Sequence, residues 1–318
     1  MVFTNCSLAG FEHAYRRSYR ISLVAILTLS MAGVVSARDA DHVLNLWTGT
    51  PPGPEREVGE EQDTSGPGSN KVAGKPVIRL GNVSVPQAHV YLAPEGNRSG
   101  AAVVICPGGG YSILAWDLEG TEVAEWLNSI GVHAVVVKYR VPTGKLDPKW
   151  LAPVQDAQRA ISLLRSHSAD WKVDGDKVAV LGFSAGGDTA ARTALATQRL
   201  YDATDDADQN SCRPNAGILI YPAYLTNEER TGLKEDVVVT EETPPMFLAH
   251  AYDDRVTPES SLYLALALKK QGIPAELHLY DTGGHGYGLR HVDAHPVTTW
   301  NLRCGDWLRR NGWLKADR

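Results

Sequence analysis

The most informative part of the sequence is KVAVLGFSAG, residues 177–186. Its first half is a run of small and β-branched apolar residues, which is typical of a buried strand, and a helical pattern begins near Gly186. A serine between two such elements lies on a tight turn when glycines flank it, because glycine removes side chains that would block a strained backbone. We therefore predict that Ser184 exposes its hydroxyl group at the end of a strand and at the N-terminus of a helix, where negative charge is favoured.

Short apolar runs alternate with helix-length amphipathic stretches on both sides of this turn. Strands are predicted at residues 88–92, 101–106, 134–139, 177–181, 216–221, 246–250 and 275–280, and helices near residues 120–130, 152–167, 186–198, 259–271 and 297–314. Repeated strand, helix and strand units predict an α/β fold with a mostly parallel central sheet and helices on both faces. A functional site is then expected at the carboxyl ends of the strands. Residues 222–245 are too few to form a large lid domain.

Residues 1–37 have the pattern of an export signal. Three arginines precede the mostly apolar residues 21–35, and small residues come next, so cleavage is predicted after Ala37. The apolar run is shorter than the ~20 residues of a spanning helix. We therefore expect an exported protein, periplasmic or extracellular, with no stable membrane insertion after cleavage.

The remaining chain is predicted to contain one domain. Residues 38–76 are interpreted as a leader or loop segment, because they are rich in Gly, Pro, Ser and acidic residues from position 49 onward and lack an apolar period there. The strand and helix patterns start at residue 77, and no internal repeat or change of composition divides the chain after that point. Residues 77–318 are therefore predicted to be the functional domain.

Composition and charge exclude several classes of protein. The chain has 318 residues, of which 43% are hydrophobic and 21% charged, so it is not disordered as a whole. It carries 31 Lys and Arg against 37 Asp and Glu and has no Lys/Arg-rich run, which argues against a nucleic-acid partner. Cys106, Cys212 and Cys304 lie after the export signal; a Cys212–Cys304 bridge and free packed thiols are both left open. No Cys or His spacing typical of a metal site occurs.

A serine hydroxyl becomes a strong nucleophile only when a base takes its proton. In folds of this kind the acid and then the histidine come after the serine along the chain. His285 lies on the glycine-rich stretch TGGHG, residues 282–286, just after the last predicted strand of the sheet. We predict that His285 is the base, with His291 and His295 as alternatives.

The carboxylate that orients the histidine is expected after the predicted strand 246–250. Two aspartates lie there, Asp253 and Asp254. Asp254 is chosen because its spacing to Val256 and Pro258 matches an Asp-x-Val-x-Pro turn, whereas Asp253 is expected to cap or brace that turn. His250 is interpreted as a structural or loop-orienting histidine.

The stretch CPGGGY, residues 106–111, lies at the end of another predicted strand. Acyl transfer requires N–H donors aimed at an oxyanion, and glycines let the backbone approach it closely. The predicted donors are the N–H of Ala185 and that of Gly109 or Gly110, with Tyr111 as a further possibility. A phosphate-binding loop is the competing interpretation, but the accompanying Gly-x-Gly-x-x-Gly or Gly-Lys-Ser/Thr patterns are missing from the sequence.

These motifs resemble those of one known family. The similar stretches are PGGGY at 107–111, EG at 119–120, KYR at 138–140, QDAQRA at 155–160, GFSAGG at 182–187, Asp254 and GGHG at 283–286. Together they resemble the α/β-hydrolases of the small esterase and lipase type, above all the bacterial exported acetylesterases grouped with acetylxylan and feruloyl esterases. Some of those proteins carry the name xylanase. The resemblance covers about residues 77–318.

The resemblance implies an α/β-hydrolase fold, a triad of Ser184, Asp254 and His285, and no metal or organic cofactor. It also implies a serine carboxylesterase that acts on short-chain esters, above all acetyl esters, of plant or algal polysaccharide or oligosaccharide. A xylan-degrading glycosidase, a peptidase of the same fold and a non-catalytic carbohydrate-binding protein are the alternatives. A glycosidase would need two carboxylates flanking the bond, and nothing in the sequence singles out such a pair.

Two positions depart from the pattern of related esterases. Pro107 stands where a histidine is common, so the support that a histidine would give the glycine loop must come from elsewhere. Asp188 also replaces a common histidine and is expected to complement the dipole of the helix that begins after Ser184.

Three aromatic residues, Tyr111, Trp116 and Trp150, fall on predicted loops near the strand ends. We predict that Tyr111 and Trp116 contact the substrate, because flat apolar rings stack on sugars. The alternative for such residues is that they seal the edge of the core.

Overall fold

The computed structural model describes residues 38–54 and 56–315. The predicted export signal lies outside these residues. The strands of the described chain are β1 His42–Asn45, β2 Gln62–Asp63, β3 Arg79–Gly81, β4 Gln87–Tyr91, β5 Ala102–Cys106, β6 Ile113–Ala115, β7 His133–Lys138, β8 Val178–Phe183, β9 Ala216–Ile220, β10 Met246–Ala251 and β11 Ala275–Tyr280. Its helices are α1 Glu122–Ser129, α2 Leu151–Ser166, α3 Ser168–Trp171, α4 Ser184–Leu195, α5 Glu259–Lys270 and α6 Trp300–Arg310. A π-helical turn covers Asp117–Thr121, and 3-10 turns cover Asp206–Gln209 and Pro296–Thr299.

Eight strands form one sheet in the order β1-β4-β7-β5-β8-β9-β10-β11. The pairs β1·β4 and β4·β7 are antiparallel, and the pairs from β7 to β11 are parallel. A smaller antiparallel sheet has the order β2-β3-β6. The predicted fold class, a mostly parallel sheet of the α/β type, is confirmed.

Helices cover both faces of the large sheet. One core contains the apolar residues of α2, α4 and α5, and the other contains those of α1 and α6. Strands β5, β7, β8 and β9 are buried along their whole length. A strand covered on both faces must be apolar at nearly every position, which is why these strands are continuous apolar runs in the sequence.

The segment predicted to be a leader contributes a strand to the large sheet. Strand β1 pairs with β4, and Leu46 and Trp47, just after β1, are buried. Trp47 Nε1–H donates to Asp156 Oδ1 at 2.8 Å, and the Leu46 carbonyl oxygen accepts from Arg159 Nε at 2.8 Å. The packed structure therefore extends beyond the boundary that the sequence predicted at residue 77.

The connection from β9 to β10 has no helix or strand among the described residues, apart from one bridge between Thr226 and Leu233. The expectation of no large lid domain agrees with this connection. Cys106, Cys212 and Cys304 are buried free thiols, so the bridge that the sequence left open does not form. Among residues 38–54 and 56–315, no helix combines the length and the apolar composition needed to cross a membrane.

Candidate active site

Ser184 lies on the turn between β8 and α4, at the carboxyl end of a central strand. Its φ of 52° is in the left-handed region, which a non-glycine residue adopts only under constraint. The turn packs against the end of β5 so closely that a Cβ at Gly186 would lie 2.0 Å from the carbonyl oxygen of Cys106. Glycine is therefore required at position 186, as the sequence pattern indicated.

The structure brings Ser184, His285 and Asp254 into one chain of hydrogen bonds. Ser184 Oγ–H donates to His285 Nε2 at 2.8 Å. His285 Nδ1–H donates to Asp254 Oδ2 at 2.6 Å. Asp254 lies after β10 and His285 after β11, so parallel strands place both residues at the same edge of the sheet as the serine.

Asp254 is buried and accepts two further hydrogen bonds. His250 Nε2–H donates to the same oxygen, Oδ2, at 3.0 Å, and the N–H of Val256 donates to Oδ1 at 2.8 Å. Burial alone would raise the pKa of Asp254, but the bonds from His250 and His285 hold it well below its usual range. The carboxylate is therefore ionised and fixed in orientation.

His250 is the buried neighbour of this carboxylate. Burial lowers the pKa of His250, so its ring is neutral near pH 7. Because a carboxylate can only accept, Nε2 of His250 carries the hydrogen, and Nδ1 accepts from the Ser261 hydroxyl group at 2.8 Å. His250 thus links the first turn of α5 to the aspartate that holds His285.

Asp253 supports the segment that carries His285. It accepts from the Gly284 N–H at 2.8 Å and from the Thr282 hydroxyl group at 3.0 Å. The bond from Gly284 lowers the pKa of Asp253. These contacts agree with the bracing position expected from the sequence.

The two alternative histidines contact other groups than Ser184. His291 Nε2 pairs with Asp293 at 2.9 Å, and His295 Nδ1 lies 3.4 Å from the Thr282 hydroxyl oxygen.

The glycine loop, residues 107–111 after β5, lies against the turn that carries Ser184. A Cβ at Gly109, whose φ is 137°, would lie 2.0 Å from the Ile113 carbonyl oxygen, so the loop requires glycine there. The N–H groups of Gly109 and Gly110 have no acceptor within the described chain. Ala185 is the second residue of α4, and its N–H therefore lacks an intrahelical partner. These are the three N–H groups predicted to bind the oxyanion.

Other residues take over the support that a histidine at position 107 would give. Glu119 Oε2 accepts from the N–H of Gly108 at 2.6 Å, and the Tyr139 hydroxyl group donates to the Pro107 carbonyl oxygen. Glu119 also accepts from the Tyr221 hydroxyl group at 2.7 Å. Burial raises the pKa of Glu119. The sequence motif contained Glu119, but its role was missed because its partners are distant along the chain.

Tyr111 was predicted to contact the substrate, but its side chain is fully buried (0% exposed) and is not positioned to do so. Its hydroxyl group donates to Asp188 Oδ2 at 2.8 Å. Asp188 Oδ1 accepts from Arg192 Nε at 2.8 Å. Asp188 therefore anchors the residue that ends the glycine loop, a function beyond the dipole complement expected from the sequence.

The other two aromatic residues pack against protein groups. Trp116 is half-buried, and its ring meets that of His89 edge-on at 4.8 Å. The Arg192 guanidinium group lies 4.4 Å from the ring centre of Trp150. The predicted contact of Trp116 with substrate stays a prediction.

The fold and this site define the class of protein. A nucleophile on a strand-to-helix turn, with an acid and a histidine after later strands, is the arrangement of the α/β-hydrolases. A family model described as BD-FAE matches residues 89–220, and one described as the prolyl oligopeptidase family matches residues 223–305. The two matches together cover most of the large sheet.

Individual relatives narrow the class. An acetylxylan esterase of Xylanibacter ruminicola is 30% identical over 245 residues, which are 69% of this chain and 47% of that protein. Endo-1,4-beta-xylanase B of Butyrivibrio fibrisolvens is 28% identical over 221 residues, 64% of this chain and 34% of that protein. The chain thus spans half or less of the length of these curated relatives.

A solved structure matches over its full length. The acetyl ester-xyloside bifunctional hydrolase of Caldicellulosiruptor lactoaceticus is 30% identical, with a TM-score of 0.67, and the match covers 89% of this chain and 100% of that one. The chain belongs to the α/β-hydrolase family that includes this protein.

Proposed function

We propose that the protein is a serine carboxylesterase that removes short acyl groups, above all acetyl, from plant or algal polysaccharide or oligosaccharide. The observation that carries the proposal is the hydrogen-bonded chain from Ser184 through His285 to Asp254. These residues are 101 and 31 positions apart and meet only in the fold. Such a chain lets a neutral histidine accept the proton of the serine hydroxyl group.

In the acylation step, Ser184 Oγ bonds to the carbonyl carbon of the ester while its proton moves to His285 Nε2. The carbonyl electron pair shifts to oxygen, and the N–H groups of Ala185 and of Gly109 or Gly110 are the donors proposed to bind the oxyanion. When the carbonyl forms again, the bond to the sugar oxygen breaks, and that oxygen takes the proton from His285. An acyl-serine remains.

In the deacylation step, a water molecule gives a proton to His285 and attacks the acyl-serine carbonyl carbon. The second tetrahedral intermediate releases the carboxylic acid, and the proton returns to Ser184 Oγ. Asp254 keeps its charge throughout and stabilises the imidazolium form of His285. Each step uses only groups of this chain and water.

The names of the relatives support the choice of substrate. An acetylxylan esterase and an acetyl ester-xyloside hydrolase both act, by name, on acetyl esters and on a xylose-containing saccharide. The second name, with that of the xylanase, favours a second candidate activity, cleavage of a xylosidic bond. That reaction needs two carboxylates placed on either side of the bond.

The test measures acetate and reducing sugar together. Acetylated xylan is incubated with the purified protein and with its Ser184→Ala variant, and both products are measured over time. We expect acetate release without new reducing ends, and a loss of roughly a thousandfold or more in acetate release in the variant, because the nucleophile is gone. Circular dichroism should show an unchanged fold.

Three results would contradict the proposal. Wild-type acetate release by Ser184→Ala would show that Ser184 is not the nucleophile. Reducing ends that persist in the variant would establish a glycosidase that does not use the triad. Release of neither product from acetylated xylan, aryl acetates and feruloyl esters would exclude the esterase.

The proposal includes export and processing. This part of the proposal is supported by a basic segment, an apolar stretch of fifteen residues and the small residue Ala37 after it. Intact mass spectrometry of protein from the periplasm or medium should give a chain that starts at Arg38, whereas a retained N-terminus would overturn the predicted cleavage. On this proposal residues 38–76 form the leader of the catalytic domain, although part of them lies in the sheet.

A further inference from the structure

A cavity of about 700 Å³ lies beside the glycine loop. Gly110 and Tyr224 form part of its wall. Tyr224 comes directly after Ala223, whose N–H donates to the carbonyl oxygen of Ser184 at 3.0 Å. The cavity therefore borders the loop predicted to bind the oxyanion, and its wall residue Tyr224 follows a residue that is hydrogen-bonded to the nucleophile turn. Its volume is within the ~300–1,000 Å³ range of ligand pockets and exceeds what an acetyl group needs.

The charged groups that line this cavity are mostly basic. Three basic residues, Arg56, Lys145 and Lys149, line it together with one acidic residue, Glu57. Within the described chain, none of the three cations forms an ion pair, although every arginine that is buried there does so. Those paired arginines are Arg140, Arg159, Arg192 and Arg290.

Two of the cations are held in place without being neutralised. Two carbonyl oxygens, of Pro142 and Val83, accept from the Arg56 guanidinium group at 3.1 Å each, which leaves three of its five N–H groups. The Lys149 ammonium group lies 3.4 Å from the ring centre of Tyr224. Burial lowers the pKa of Lys149, nearby Lys234 lowers it further, and Asp188, which does not line the cavity, acts in the opposite direction.

This positive cavity contrasts with the charge of the whole chain. The protein carries a net charge of -6, so a surplus of cations beside the glycine loop is not expected from composition. Guanidinium and ammonium groups bind carboxylates through charge-assisted hydrogen bonds. The ligand that complements this cavity is therefore an anion.

We propose that Arg56, Lys145 and Lys149 form a subsite for a uronate, an acidic sugar residue of the same saccharide whose ester Ser184 cleaves. The inference rests on the proposed esterase function and adds a substrate class to it. The cavity has room for a sugar ring, which favours a carboxylate on the saccharide over one on the acyl group. The subsite binds and orients; it takes no part in the bond changes.

The test compares two substrates that differ in one carboxylate. The substrates are acetylated xylo-oligosaccharides with glucuronate branches and the same material after chemical reduction of those carboxyl groups. We expect kcat/KM for acetate release to be about fivefold to tenfold higher for the uronate form at low salt, given two or three partly exposed ion pairs. The preference should fall at roughly 300 mM NaCl because salt screens exposed charges.

Variants assign the preference to the cavity. The double variant Lys145→Gln/Lys149→Gln should lose the ratio between the two substrates, whereas Lys270→Gln, an exposed lysine at the end of α5, should keep it. A ratio near one in the wild type, or a ratio that survives in the double variant, would overturn the subsite. If the double variant folds poorly, the wild-type protein alone still tests the subsite, because a uronate preference that does not fall with added salt would contradict it.

Aryl esters separate this inference from the proposed function. Hydrolysis of 4-nitrophenyl acetate with no uronate preference would overturn the subsite and leave the esterase standing. Inactivity towards every ester would instead overturn the proposed function. A preference for 4-nitrophenyl hemisuccinate over the acetate, without a uronate preference, would place the bound carboxylate on the acyl group and contradict our assignment.

Discussion

One oxygen of Asp254 accepts hydrogen bonds from two histidines, His250 and His285. A buried carboxylate is stable only when donors replace its lost water. The first histidine is neutral and held by Ser261, so it fixes the oxygen without competing for the catalytic proton. At the scale of single residues, His250 therefore orients the carboxylate, and His285 is left to transfer the proton.

Mutation of the two neighbouring aspartates should therefore lower kcat to different extents. Asp254→Asn places an amide where a carboxylate accepts from His285, and this favours the wrong tautomer of the ring; kcat is expected to fall by about 10⁴. Asp253→Asn keeps an acceptor for Gly284 and should cost about tenfold or less. Steady-state kinetics on 4-nitrophenyl acetate measures both. The opposite ranking of the two variants would show that Asp253 is the acid.

How far the sequence predicts the site depends on the distance between partners along the chain. Ser184, Asp254 and His285 were chosen from local spacing, and the structure joins them by hydrogen bonds. Glu119 and Asp188 have partners 102 and 77 positions away, Tyr221 and Tyr111, and no local pattern links them. Their roles depend on tertiary packing and were not predicted.

Strands show the same limit at the scale of elements. Strands β4, β5 and β7 to β11 begin and end within about two residues of their predicted positions, because each has five or six residues, enough to show either a continuous apolar run or an alternation of apolar and polar residues. Strands β1, β2, β3 and β6 have two to four residues each, and neither β1 nor β2 has a buried position. Runs this short show no period, so the sequence alone assigns β1 and β2 to a leader segment.

The packing of Trp47 predicts that this segment is needed for stability. Trp47 is buried against Tyr201, with ring centres 4.8 Å apart, and donates to Asp156. Trp47→Ala should lower the free energy of unfolding by about 3–5 kcal/mol in urea denaturation. Val43→Ala, at an exposed position of β1, should cost about 0.5 kcal/mol or less. Equal small effects would mean that the leader is dispensable.

At the scale of the whole molecule, one buried histidine, His133, and one half-buried histidine, His89, make stability depend on pH. Burial lowers the pKa of His89 and His133 to about 4, below the 6.5 of the unfolded chain. Between these values the unfolded state binds more protons, so the free energy of unfolding decreases as pH falls from about 6.5 to 4. Each histidine should account for roughly 1–2 kcal/mol of this decrease in the free energy of unfolding, after allowance for solvent screening.

Urea denaturation at several pH values checks this expectation. His133 Nδ1 accepts from the Ala93 N–H at 3.3 Å, so His133→Asn keeps an acceptor that does not titrate. This variant should show a smaller loss of stability between about pH 7 and pH 4.5 than the wild type. His291→Asn, at an exposed position, is the control. An unchanged pH dependence in His133→Asn would contradict the assignment.

The hydroxyl group of Tyr221 has a consequence for how the molecule loses activity. It donates to Glu119 below the glycine loop and accepts from the Gly288 N–H at 3.0 Å, just after the segment that carries His285. A single oxygen atom thus couples the two walls of the site to each other and to the end of β9. The catalytic groups should therefore melt cooperatively with the core. On heating, esterase activity and the far-ultraviolet circular dichroism signal are expected to disappear over the same temperature interval.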